Sequence, residues 1–166
     1  MKNSIFCLDL SDNEITDKGM KLFSEALEDG NNTTIRRVVG VKLPKEAEVV
    51  LERNRVAYAR RAVRECKEAA LDLSNEGLGD AEAEAIAEEL GKNSTIIELN
   101  LRGNEITGEG MVPLSEALKV NETLLRIDVR YNYAIKIKGA ELLARAVMGR
   151  KVMMEEFSGI PVKALL

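Results

Sequence analysis

Apolar and polar positions alternate in short bursts along this chain, and each burst is followed by a stretch with a different period. In "LNLRGNEITGEG", Ile96, Leu99 and Leu101 bracket an alternating segment of the kind that forms a short strand. Downstream, Met111, Leu114, Ala117 and Leu118 recur at helical spacing. The same two-part unit appears 28 residues earlier, with Leu71 and Leu73 followed by Ala83, Ile86 and Leu90. It appears again 28 residues later with Ile127 and Val129. Near the N-terminus, Leu8 and Leu10 lead into Met20, Phe23, Ala26 and Leu27. "LDLSDNEITDKGMKLFSEAL" and "LNLRGNEITGEGMVPLSEAL" run parallel through twenty positions.

A strand and a helix repeated at this interval cannot bury both apolar faces alone, but stacked units can. The expected architecture is α/β, with parallel strands on one side and helices on the other. Thr16, Asp17, Asp80 and Thr107 are turn or capping candidates at the helix starts. Asn13, Asn104 and Asn132 each follow the last strand hydrophobe by three residues. Buried there, an asparagine can satisfy backbone groups left unpaired where the strand ends. In "LDLSNEGL" Glu76 holds that place and Asn75 comes one residue early, so the predicted ladder is imperfect. Gly19, Gly110 and Gly139 recur near the helix starts, where a small residue permits close packing, and one residue is inserted before Gly139.

The pattern L-x-L-x-x-N-x-I in 28-residue units resembles the ribonuclease-inhibitor-like class of leucine-rich repeats, over about 8–30 and 69–150. The resemblance implies a leucine-rich repeat solenoid: a short curved horseshoe with its strands on the concave side and its helices on the convex side. It also implies protein binding. The same class includes small-GTPase activators of the Ran type and the actin-capping tropomodulins. Units opening "NTTI" and "NETL" are similar to the latter, so a regulatory protein of either type is the alternative reading. No catalytic or capping residue of those families can be matched here position by position.

The repeat breaks after Ile35, Val38 and Val41, where no asparagine turn follows and Pro44 intervenes. From 45 to 68 there is no Gly or Pro, and Ala47, Val50, Leu51, Ala57, Tyr58, Ala62 and Cys66 suggest one long helix. "MMEEFSGIPVKALL" aligns with "IRRVVGVKLPKEAE", pairing Phe157 with Val38. The expected organisation is therefore 1–44, N-terminal repeats ending in a shortened unit; 45–68, a connecting helix; and 69–166, C-terminal repeats ending in a second shortened unit. An array ending there reads as a piece of a longer one, or as one with exposed ends that could self-associate.

Composition narrows the chemistry. Apolar residues make up 45% and charged residues 31% of 166 positions, the balance of a globular chain. There is no histidine, which removes the commonest general base and metal ligand, and neither an enzyme nor a cofactor or metal site is expected. Two cysteines, Cys7 on a strand and Cys66 on the helix, suit a reducing, cytoplasmic setting. No apolar run is long enough for a membrane span, and "MKNSIFCLDL" does not read as a signal peptide. A net charge of −4 argues against nucleic acid. The basic run Arg53, Arg55, Arg60, Arg61, Arg64 and Lys67 is diluted by glutamates and reads as a solvated helix face. Three N-x-[ST] triplets, at Asn32, Asn93 and Asn121, share one repeat position after a helix, so they read as turn residues.

The polar residues between strand hydrophobes face away from the helices. A protein partner is expected to meet Asp72, Glu98, Asn100, Arg102, Arg126, Asp128, Arg130 and Tyr131, with Asp9, Ser11, Ser74 and Tyr133 in equivalent or adjoining places. Arginine and tyrosine are favoured anchor types, which puts Arg102, Arg126, Arg130 and Tyr131 first.

Overall fold

The computed structural model describes residues 5–29, 32–158 and 160–161. The extreme start of the chain, at 1–4, and 159 and 162–166 of the second shortened unit lie outside the described residues. The chain forms an α/β repeat solenoid, divided into two compact units, Met1–Ala57 and Tyr58–Leu166.

In the first unit, β1 (Cys7–Asp9) pairs in parallel with β2 (Arg37–Val39), with Leu8 opposite Val38. Between them runs α1 (Asp17–Glu28), started by Thr16, whose hydroxyl accepts the Gly19 N–H at 3.3 Å. After β2 comes α2 (Lys45–Glu65), within which the unit boundary falls. Leu27, Ala47, Val50 and Leu51 are buried together, and Phe23, Ile35, Val38 and Leu43 pack half-buried around them. Asn54 ties α2 to the turn before β2, its amide donating to the Ile35 carbonyl at 2.8 Å.

The second unit continues with β3 (Ala70–Asp72), α3 (Asp80–Leu90), β4 (Glu98–Asn100), α4 (Met111–Val120), β5 (Arg126–Asp128), α5 (Lys136–Met148), β6 (Glu156–Phe157) and β7 (Ile160–Pro161). Strands β3 to β6 lie side by side and parallel, and their register aligns Leu71, Leu99, Ile127 and Phe157. The chain then doubles back: β7 pairs antiparallel with β6, a return that the repeat pattern does not predict. One buried cluster joins strand residues Leu99 and Ile127, and Leu73 and Leu101 just past their strands, to helix residues Ile86, Leu90, Met111, Leu114 and Leu143. Pro113 is accommodated because the first turn of α4 needs no backbone donor there.

On α2 the buried face includes Ala47, Val50, Leu51, Ala59 and Val63, spaced by three and four along much of its length; Ala57 is exposed, contrary to the sequence expectation. Ala26 is likewise exposed. Cys66 lies just past the helix rather than on it, its thiol 3.4 Å from the Glu68 carbonyl.

Two asparagine ladders lock the second unit. Asn104 donates to the Leu73 and Leu101 carbonyls, both at 2.9 Å, and accepts from the Glu76 and Leu78 N–H groups at 3.0 and 3.1 Å. Asn132 repeats the pattern on Leu101, Val129 and Ile106. The second ladder is formed at two of the N-x-[ST] sites. Asn93 accepts the Thr95 and Ile96 N–H groups, Asn121 those of Thr123 and Leu124, and each donates back to an earlier carbonyl, Val63 or Leu90. Asn32 makes the same turn in the first unit, accepting from Thr34 and Ile35. All three triplets are thus turn residues, including those in "NTTI" and "NETL". Asp80, a capping candidate for α3, instead serves the next repeat: its carboxylate accepts from the Thr107 N–H at 2.8 Å, the Thr107 hydroxyl at 2.7 Å and the Gly110 N–H at 2.9 Å.

Candidate functional site

Strand pleating decides which side chains the second unit presents. Leu99 and Ile127 turn into the core, so their neighbours Glu98, Asn100, Arg126 and Asp128 stand half-exposed on the opposite face. Because the strands are in register, these residues stack in rows: Ala70, Glu98, Arg126 and Glu156 in one, Asp72, Asn100 and Asp128 in the next. A depression of about 460 Å³ lies on this face, lined by Asp72, Glu98, Asn100, Arg126, Asp128 and Glu156 among others. It shares Asn100 with a second depression of about 630 Å³ at the strand ends, where Arg102, Tyr131 and Tyr133 stand. Seven of the eight residues expected to meet a partner line one or the other; Arg130 lies beside them, bonded to Asp128.

The three arginines have different roles. Arg126 is clamped between two carboxylates, donating one terminal nitrogen to Glu98 and the other to Glu155. The Arg126 hydrogen bond holds the Glu98 carboxyl below its usual range, and the same bond raises the guanidinium. Arg130 grips Asp128 through Nε at 3.0 Å and Nη2 at 2.6 Å. Burial pushes Asp128 up, but its hydrogen bonds and charge pairing with Arg130 outweigh this and leave it below the ordinary carboxylate range. Arg102 makes no ion pair among the described residues. Its guanidinium carbon lies 4.5 Å from the centre of the Tyr131 ring, a cation–π stack. Tyr131 in turn meets Tyr133 edge-on, with centroids 6.2 Å apart.

Some of the row residues serve the fold. Asp72, Asn100 and Asp128 each accept the N–H two residues on, at 2.9, 3.0 and 2.9 Å, and Asp9 does the same in the first unit. The recurrence of Asp or Asn at this position in the four full repeats, though not in the shortened units, is the sequence signal for that turn role. The Ser11 side chain and N–H together hold Asp9 below its ordinary range.

Tyr131 departs from the pattern. The third residue after β1, β3 and β4 adopts left-handed backbone, with φ of 56° at Asp12, 57° at Asn75 and 69° at Gly103. Those residue types tolerate it, but Tyr131 holds φ 59° at a cost of about 1 kcal/mol. The inserted residue falls just after it. Ile135 takes the buried place that Ile106 holds one repeat earlier, and Tyr133 is pushed out to 87% exposure. Strain and insertion together put two aromatic rings beside the arginine that makes no ion pair among the described residues.

Among the described residues, no three or more His, Cys, Asp or Glu side chains gather to hold a metal ion, and no helix is long and apolar enough to cross a membrane. Three basic residues of α2 have partners: Arg53 donates to the Asn32 carbonyl, Arg55 to that of Arg36, and Arg60 pairs with Glu88 at 2.6 Å.

The leucine-rich repeat family model matches residues 3–24 and 92–115, which include most of the two most alike segments of the chain. A solved structure, the leiomodin-1 actin-binding site 2, is similar with 23% identity and a TM-score of 0.48, covering 91% of this chain and 68% of that one. No curated protein matches.

Proposed function

We propose that this chain, built of leucine-rich repeats, is a non-enzymatic interaction module and that the polar face of its five-stranded sheet is where a protein partner sits. The observation that carries this reading is the register. Side chains from successive strands are aligned in rows across rigid backbone, and such a preorganised surface costs little ordering on binding. Its polar rows, with arginine and tyrosine at one end, have the composition of interface anchors. We assign the repeats to the ribonuclease-inhibitor-like class, supported by the 28-residue spacing of the strand partners Ala70, Glu98 and Arg126. A cytoplasmic setting suits the two free thiols, Cys7 being exposed.

A photo-crosslinking residue placed at Asn100, with another at Val112 on α4 as the helix-face control, tests the surface. A partner captured from position 100 and lost on the double substitution Arg102→Glu, Arg130→Glu is the expected result. Capture from Val112 alone would move the interface to the helices. Pointed-end actin elongation and GTP hydrolysis by a small GTPase, each run with and without the chain, test the regulatory alternatives directly.

A further inference from the structure

The depression at the strand ends differs in charge from the rows beside it. Its walls include Ser74, Asn75, Asn100, Arg102, Tyr131 and Tyr133, and no carboxylate lines it. Arg102 is its one charged side chain. The donors around it are unused: Asn100 spends its side-chain oxygen on the Arg102 N–H, while the Asn100 amide, the Ser74 hydroxyl and the Asn75 side chain make no hydrogen bond among the described residues. Stacking on Tyr131 covers one face of the guanidinium, which leaves its in-plane N–H edges as the available donors. Those edges match a carboxylate, which accepts two parallel N–H bonds. Next to them Tyr133, 87% exposed, offers flat apolar area for a non-polar neighbour of that carboxylate.

We propose that this depression receives an acidic segment of a protein partner, with an aspartate or glutamate carboxylate on Arg102 and a proline or aliphatic residue against Tyr133. The proposal rests on the reading that the sheet face meets a protein, and it names the chemistry at one end of that face. Charge complementarity supports it: Arg126 and Arg130 are held in ion pairs with Glu98, Glu155 and Asp128, whereas Arg102, whose charge is felt by Asp128, makes no ion pair among the described residues. The left-handed backbone at Tyr131 supports it too, because a glycine or asparagine would satisfy the turn without supplying the ring that props the guanidinium.

Fluorescein-labelled eight-residue peptides of alternating Glu-Pro, Gln-Pro and Lys-Pro, titrated with the full chain and read by anisotropy, test this. Tyrosine emission gives a second readout, since the chain has no tryptophan and two of its three tyrosines stand here. The Glu-Pro peptide is expected to bind at least tenfold tighter than Gln-Pro, with Lys-Pro weakest. Arg102→Gln should abolish the Glu-over-Gln preference, and Tyr131→Gly should weaken Glu-Pro binding while the fold, checked by circular dichroism, persists. Equal binding of Glu-Pro and Gln-Pro, a preference for Lys-Pro, no binding of any peptide, or an Arg102→Gln variant that keeps the preference would each overturn the proposal. So would displacement of Glu-Pro by equimolar inorganic phosphate, which would make the site one for free anions. If crosslinking from Asn100 still captures a partner while these peptides fail, only the acidic-segment chemistry falls; if that crosslink fails as well, the reading beneath it falls too.

Discussion

Residues 8–27 and 99–118 carry nearly the same twenty-residue pattern, yet their side chains have different surroundings. Leu99, Leu101, Ile106, Met111, Leu114 and Leu118 are all buried. Their counterparts Leu8, Leu10, Ile15, Met20 and Phe23 are half-buried, and only Leu27 matches Leu118. Asn104 is 5% exposed and makes four hydrogen bonds, whereas Asn13 is exposed and reaches only the nearby Leu10 and Ser11 carbonyls. The second copy lies between β3 and β5, with α4 packed between α3 and α5, while β1 pairs with β2 in a two-stranded sheet. Burial in a repeat array is thus conferred by neighbours; the motif only makes a residue eligible for it.

Three paired substitutions, each measured by chemical denaturation of the full chain, bear on this contrast. Leu99→Ala should cost about 2–5 kcal/mol, since it empties a filled site in a continuous core, while Leu8→Ala should cost about 1 kcal/mol or less. Equal losses would mean that the motif itself sets the energetics. Asn104→Ala should cost on the order of 3 kcal/mol by stranding buried carbonyl and N–H groups of two repeats, against a few tenths (~0.3 kcal/mol) for Asn13→Ala. A mild Asn104→Ala, with unchanged hydrogen exchange at Glu76 and Leu78, would show that the ladder is dispensable. Gly110→Ala should destabilise by about 1–3 kcal/mol. Its new methyl would lie 2.5 Å from an Asp80 oxygen and 2.8 Å from an Ile106 methyl. At Gly19 the nearest atom is 3.5 Å away, so Gly19→Ala should stabilise α1 by about 0.5–1 kcal/mol. The opposite sign at either position would contradict the packing described.

Period made much of this legible. Strand positions, register, the asparagine turn and the tight helix–helix approach at Gly110 and Gly139 all follow from residues recurring at one interval. What escaped depends on contacts that no single repeat encodes. The Asp80 carboxylate reaches into the next unit, and Arg126 draws its two partners from Glu98 and Glu155, about one repeat away on either side. The Ala57 expectation failed because burial on α2 follows Ala59 and Val63 instead. At the candidate site the distinction is sharper. Asp72, Asn100 and Asp128 belong to the pattern and also build turns, whereas Tyr131 and Tyr133 break it. Comparing repeats for departures, and not only for matches, is the signal that would have set these two apart.

The asparagine ladders also give the array a direction in time. Asn104 and Asn132 each complete the turn of the preceding repeat, through partners that lie 26 to 31 residues earlier in the chain. As the polypeptide is synthesised, a strand and its helix can emerge and still have an unfinished turn until the asparagine of the following repeat arrives. Maturation of each repeat therefore trails synthesis by roughly one repeat length, and truncation from the C-terminal side should unsettle the last remaining repeat more than truncation from the N-terminal side unsettles the first.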